Sequence, residues 1–208
     1  MPPPRPRLIL ASASPARLRT LQAAGLEPEV IISGVDEELE QADSVPELVR
    51  SLARRKAEAV SAEIGPDGGR TLIIGCDSLL ELDRAGYGKP RSDAEAVERW
   101  RRMRGRAGVL HTGHHVILRV GDQSAAQSAV ASTTVHFARL ADAEIAAYVA
   151  SDEPLQVAGA FTIDGLGGAF VSKIEGDHHN VVGISLPLLR LMFAELGVAW
   201  TSLWRPPG

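Results

Sequence analysis

Thr71-Leu72-Ile73-Ile74-Gly75-Cys76 is a nearly continuous apolar run that closes on Asp77. A strand without polar alternation has both faces covered, so this run reads as a central strand ending at Asp77, with helices on both sides of its sheet. Leu8–Ala11 and Val30–Ser33 read as further strands, and Val109–Val120 and Ala129–Phe137 as strands joined through Val120-Gly121-Asp122. Phe161–Ile163 and Ala169–Ile174 read as strands around Gly165-Leu166-Gly167-Gly168. Capping-box spacing at Ser44-Val45-Pro46-Glu47 and Ser92-Asp93-Ala94-Glu95 predicts helices reaching Ile64 and Met103. Further helices are predicted over Ala16–Ala24, Asp142–Ala150 and Ser185–Leu196, the last followed by a short strand. Strands and helices mix without βαβ alternation. The expected class is therefore α/β, a mixed twisted sheet with flanking helices.

The 208 residues fit one domain at about 150 residues each. We expect a Pro/Arg-rich leader over residues 1–7 and a single domain over 8–208. Hydrophobic residues at 45% and charged residues at 23% exclude disordered and coiled-coil classes. The apolar run after the leader is shorter than the roughly 7–15 residues of an export signal, and nothing nears the roughly 18 of a membrane span. No membrane partner is expected. A net charge of −4 disfavours nucleic acid as a partner. The single cysteine, Cys76, cannot form an internal disulfide, which suits a cytoplasmic setting.

Among 22 basic residues only three are lysine: Lys56, Lys89 and Lys173. A lysine kept in so arginine-rich a chain points to a compact ammonium at a fitted place, first at Lys56 and Lys89. Ser12-Ala13-Ser14-Pro15-Ala16-Arg17 lies between a strand and a helix, where free N–H groups, two hydroxyls and Arg17 suit phosphate; a plain helix cap is the alternative. Asp77, at the end of a buried strand, can hold a cation, orient a water, or simply close an Asx turn. The acidic run Asp36-Glu37-Glu38 can join Asp77 on a divalent metal or be merely solvated. Gly88-Lys89-Pro90 is no P-loop, because Pro follows the lysine and Asp83 stands where that motif has Gly. His114-His115 and His178-His179 are adjacent pairs; strand neighbours point to opposite faces, so a zinc site is rejected. No GxSxG is present and Cys76 lies in an apolar strand, so covalent catalysis has no support.

Taken in order, these pieces resemble the Maf family of nucleoside triphosphate pyrophosphatases, once described as septum-formation inhibitors. The resemblance rests on Ser12–Arg17, Asp36-Glu37, Lys56-Ala57, Gly75-Cys76-Asp77-Ser78, Gly88-Lys89-Pro90, Gly105-Arg106, Thr112-Gly113, Ala158–Gly165 and Gly176–Gly183. It implies two lobes around a central cleft, as in inosine triphosphate pyrophosphatase-like folds. It implies hydrolysis of a nucleoside triphosphate to the monophosphate and pyrophosphate with a divalent cation, Mg²⁺ or Mn²⁺, in nucleotide housecleaning. Asp77 would be the base. Lys56 and Lys89, with Ser12, Ser14 and Arg17, would hold phosphates, and Glu37 would join Asp77 on the metal or water. Ala16, Ser78 and Asp164 depart from the family's Arg, Thr and Gln at positions bearing on base selectivity, so a broad or altered base preference is expected. Two rivals stay open: a non-catalytic nucleotide-sensing regulator of cell division, and a phosphatase cutting the terminal phosphate. Homodimerisation is an expectation of the resemblance alone.

Overall fold

The computed structural model describes residues 5–36, 42–65 and 68–204. Its strands form one mixed sheet in the order β2-β1-β3-β5-β6-β7, with β4 also on β3. β1 (Arg7–Ala11) runs parallel to β2 (Glu29–Val30) and to β3 (Arg70–Leu82). β4 (Ala85–Tyr87), β5 (Ala107–Val120), β6 (Gln123–Phe137) and β7 (Val171–Glu175) all join antiparallel. Every residue from Thr71 to Asp77 is buried, as the apolar run requires. The expected class, a mixed sheet flanked by helices, is what the chain adopts.

Two faces of β3 carry different packing. Ile73, with Ile9, Ala11 and Ile117, lies under Ala57 and Val60 of helix α2 (Val45–Ile64). Ser44 caps α2 by accepting from the Glu47 amide at 3.4 Å, and Val45, Val49, Leu52, Ala53, Lys56, Ala57 and Val60 form its buried stripe. On the other face Leu72, Ile74 and Cys76 meet Leu21 of α1 (Pro15–Ala23) and Leu189, Met192 and Phe193 of α6 (Leu186–Glu195). Further along that face, Leu80 and Leu82 pack with Trp100 of α3 (Asp93–Met103) and Tyr148 of α4 (Asp142–Val149). These two cores are the two lobes. Between them Ser78 and Thr112 face each other in register and share a hydrogen bond of 2.9 Å. The short helix α5 (His178–Val182) lies over this polar rung, its Asn180 carbonyl accepting from Thr112 at 3.3 Å.

Several local expectations are corrected. β3 does not end at Asp77, because β5 pairs it onward through Asp77–Gly113 to Glu81–Val109. Only β1 stops there, at the Ala11–Gly75 rung. The second strand shrinks to Glu29–Val30 at the sheet margin. Phe161–Ile163 is not a strand: Gly159 and Ala160 turn the chain at positive φ, and the next amides are taken by side chains. After α6 a 3₁₀ turn, Trp200–Leu203, stands where a strand was expected, and Arg7 belongs to β1 rather than to a leader. Among the described residues no helix is long and apolar enough to cross a membrane.

The contact of α2 with the sheet is unusually close. A Cβ on Gly113 would sit 2.0 Å from the Val49 carbonyl oxygen, and one on Gly75 would sit 2.2 Å from that of Ala53. Both obstacles are helix backbone, which cannot rotate aside. Gly113→Ala is expected to cost about 3 kcal/mol by overpacking and to lower Tm by about 6–12 °C, measured by thermal melt.

Candidate active site

The end of β1 creates the site. β1 leaves β3 after Gly75, and β4 pairs that strand again only from Leu80. The stretch between lies at the floor of a cleft of about 760 Å³, within the usual range of about 300–1,000 Å³ for ligand sites. Side chains from both faces of β3, Asp77 and Ser78, line the notch.

Arg17 takes the place of the missing strand. Its Nη1 donates to the Cys76 carbonyl at 3.0 Å and to Ser12 Oγ at 2.9 Å. Its Nη2 donates to Ser78 Oγ at 2.9 Å and its Nε to the Gly183 carbonyl at 2.7 Å. Four of five guanidinium donors are thus committed within the protein. Arg17 is 8% exposed and joins α1, β3 and the end of α5. Ser14 caps α1 by accepting from the Arg17 amide at 3.4 Å, and Ser12 Oγ accepts the Ser14 amide at 3.3 Å.

Lys56 points out of the apolar stripe of α2 and donates from Nζ to Asp77 Oδ1. Lys56 is 8% exposed and Asp77 5%, yet both line the cleft. Breaking a buried pair of this kind from one side typically costs about 3–5 kcal/mol. Lys89 is exposed on the cleft wall. Its loop is pinned through the Gly88 carbonyl, which accepts from Arg99 Nη1 and from the Gly159 amide at 3.0 Å. Burial pushes the Cys76 thiol up to about 11, so it stays protonated.

The facing wall runs from Glu153 to Gly165 and includes Gln156, Phe161, Thr162 and Asp164. Every expected site residue within the described chain lines this one cleft: Ser12, Ser14, Ala16, Arg17, Lys56, Asp77, Ser78, Lys89 and Asp164. Glu37, expected on a metal with Asp77, lies outside the described residues. Among the described residues no three His, Cys, Asp or Glu side chains gather as a metal cluster. His114 and His115 diverge as expected: one meets the Ser185 amide, the other Ser128.

A family model described as Maf-like protein matches residues 7–196. The chain belongs to the Maf-like family. It is 60% identical over 199 residues to a nucleoside triphosphate pyrophosphatase of Salinispora tropica, covering 95% of this chain and 87% of that one. A protein of the same name from Streptomyces coelicolor is 54% identical over 205 residues, covering 99% and 98%. Another, from Gloeothece citriformis, is 50% identical over 197 residues, covering 95% and 97%.

Three residues that support this Maf-like cleft are not among the expected site residues: Thr112 completes the polar rung, Arg99 pins the Lys89 loop, and Glu153 organises the far wall. Thr112 stood in the sequence only as part of the Thr112-Gly113 resemblance, Arg99 only as an arginine on the apolar stripe of α3, and Glu153 had no signal of its own.

His114 is fully buried behind the notch. Its Nε2 accepts the Ser185 amide at 2.9 Å, so the proton sits on Nδ1 and is donated to the Thr112 carbonyl at 3.0 Å. Burial, aided by the charge of Arg17, lowers its pKa from 6.5 to about 4. The unfolded chain therefore binds the extra proton between these values. Stability from this site is whole above about pH 6.5 and falls by roughly 3 kcal/mol as pH drops towards 4. Urea midpoints against pH should show this slope in the native protein and a flatter one in His114→Gln.

Proposed function

We propose that this cleft hydrolyses nucleoside triphosphates to nucleoside monophosphate and pyrophosphate, clearing unwanted nucleotides from a cytoplasmic pool. The observation that carries the reading is the Lys56–Asp77 pair at the floor of a cleft that Arg17 and Lys89 also line. The names of the relatives agree with it.

A water oxygen attacks the α-phosphorus, and the bond from that phosphorus to the αβ-bridging oxygen breaks. Pyrophosphate leaves with the bonding electron pair, and the water proton passes to the Asp77 carboxylate. Charge builds on the phosphate oxygens, where fixed cations stabilise it. Lys56 keeps Asp77 aimed. Lys89, on its pinned loop, reaches the phosphates as a point charge. Ser12 Oγ already accepts two bonds, so its own O–H is left to donate to the tail. Arg17 acts chiefly by shaping the notch, adding its charge and one remaining N–H.

The donor set also suits a divalent cation carried by the substrate. Mg²⁺ or Mn²⁺ in such sites takes one or two carboxylates plus phosphate oxygens, and Asp77 supplies a carboxylate. When bound, such an ion would neutralise charge on the triphosphate.

Asp164, exposed at the cleft mouth, accepts hydrogen bonds only, whereas Ser78 is tied to Arg17 and Thr112. A base preference broader than, or altered from, that of a glutamine-bearing site follows. A nucleotide sensor needs no buried acid under its phosphates, so the enzymatic reading stands above the regulator.

Purified protein given a nucleotide panel with Mg²⁺ or Mn²⁺ should release pyrophosphate. Asp77→Asn should lose roughly 10²–10⁴-fold in kcat while still binding nucleotide. Orthophosphate as the first product, or near-native turnover by the variant, would contradict the reading.

A further inference from the structure

We propose that Glu153 is the positioning residue that sets the base-facing wall of the cleft; the inference rests on the function proposed above. One carboxylate organises the whole 162–167 loop. Its Oε1 accepts from Tyr148 Oη at 2.9 Å, Thr162 Oγ1 at 2.6 Å and the Gly167 amide at 3.0 Å. Its Oε2 accepts from the Leu166 amide at 3.0 Å. The ring is closed by the Thr162 amide, which donates to Tyr148 Oη at 3.2 Å. Asp164 is carried at the exposed tip of this loop.

The glycines of the loop exist for this contact. A Cβ on Gly165 would stand 2.5 Å from Glu153 Oε2, and one on Gly167 would stand 2.3 Å from Tyr148 Oη. Tyr148 in turn is fixed in the aromatic core, with ring centroids 5.5 Å from Trp100 and 5.3 Å from Phe170. The loop therefore takes its shape from the second lobe, through one side chain. Burial alone would raise the Glu153 pKa, but the bonds from Thr162, Leu166, Gly167 and Tyr148 outweigh it and hold the group below the usual carboxylate range. Three of the four donors converge on Oε1 and one reaches Oε2, so the carboxylate is largely occupied by its own loop. Glu153 is therefore assigned a role through the loop it holds.

The groups proposed to hold phosphate line the same cleft but come from other elements, Ser12–Arg17 at the start of α1, Lys56 on α2 and Lys89 on the loop after β4. A change confined to the 162–167 loop can therefore be separated from them by experiment. In Glu153→Gln an amide N–H₂ replaces one acceptor oxygen and opposes a loop donor. KM for UTP, CTP, GTP and ATP should rise about tenfold, the cost of one unsatisfied buried group, with kcat within about twofold. Differences in KM among the four bases should shrink. Inorganic tripolyphosphate, which has no base, should inhibit both proteins with constants within about twofold of each other. A folded Glu153→Gln with native KM values overturns the inference, as does a tripolyphosphate constant that rises in step with KM. Should Glu153→Gln not fold by circular dichroism, Tyr148→Phe removes one of the four bonds to the carboxylate together with the acceptor of the Thr162 amide, and must show the same split, or the inference fails. Wild-type protein that releases no pyrophosphate from any nucleotide overturns the function itself, a result distinct from an unmoved KM in a working enzyme.

Discussion

An ammonium and a carboxylate, both withdrawn from water, meet where helix α2 rests on strand β3, and the site depends on that meeting. Neither group is stable there alone, since removing an ion from water costs several kcal/mol. Their encounter requires α2 to lie almost on the sheet backbone. Gly75 and Gly113 supply that closeness on the sheet, and Ala53 and Ala57 supply it on the helix. A protein selected for stability alone gains little from such a pair. Its presence at the floor of an open cleft makes sense if the acid must remain aimed while its other side meets substrate.

The notch follows from the same stretch of chain. Ending β1 two residues before Asp77 uncovers one edge of β3 without interrupting its pairing to β5. The Cys76 carbonyl exposed by that ending would be unsatisfied, and the Arg17 guanidinium satisfies it. Arg17 then ties Ser12, Ser78 and Gly183 together, which fixes the first lobe along this edge of the cleft. In the second lobe Glu153 plays a comparable part with opposite charge. Each wall of the cleft is thus shaped by one buried or half-buried ionised side chain that is almost saturated with protein partners.

Much of this was legible in the sequence. The apolar run of β3, the capped starts of α2 and α3 and the Gly121 turn were read directly, because burial periodicity and cap chemistry are local. The scarcity of lysine singled out Lys56 and Lys89, which both line the cleft. What remained hidden was non-local. The sequence around Asp77 cannot show that β1 stops while β5 continues, so the apolar run alone places the end of the strand at Asp77. Phe161–Ile163 looks like a strand because its residues are bulky and mostly apolar, but the Thr162 amide bonds the Tyr148 hydroxyl and the Thr162 hydroxyl bonds Glu153 rather than another strand. The committed donors of Arg17 likewise depend on four acceptors spread from Ser12 to Gly183. Glu37 was expected near the metal and lies outside the described residues.

The central claim is that water attacks the first phosphorus of the tail. Single-turnover hydrolysis in ¹⁸O-labelled water, followed by ³¹P NMR or mass spectrometry of the products, tests it most directly. The label should appear in the nucleoside monophosphate and be absent from pyrophosphate. Label in pyrophosphate or orthophosphate, with an unlabelled nucleotide product, would contradict the account.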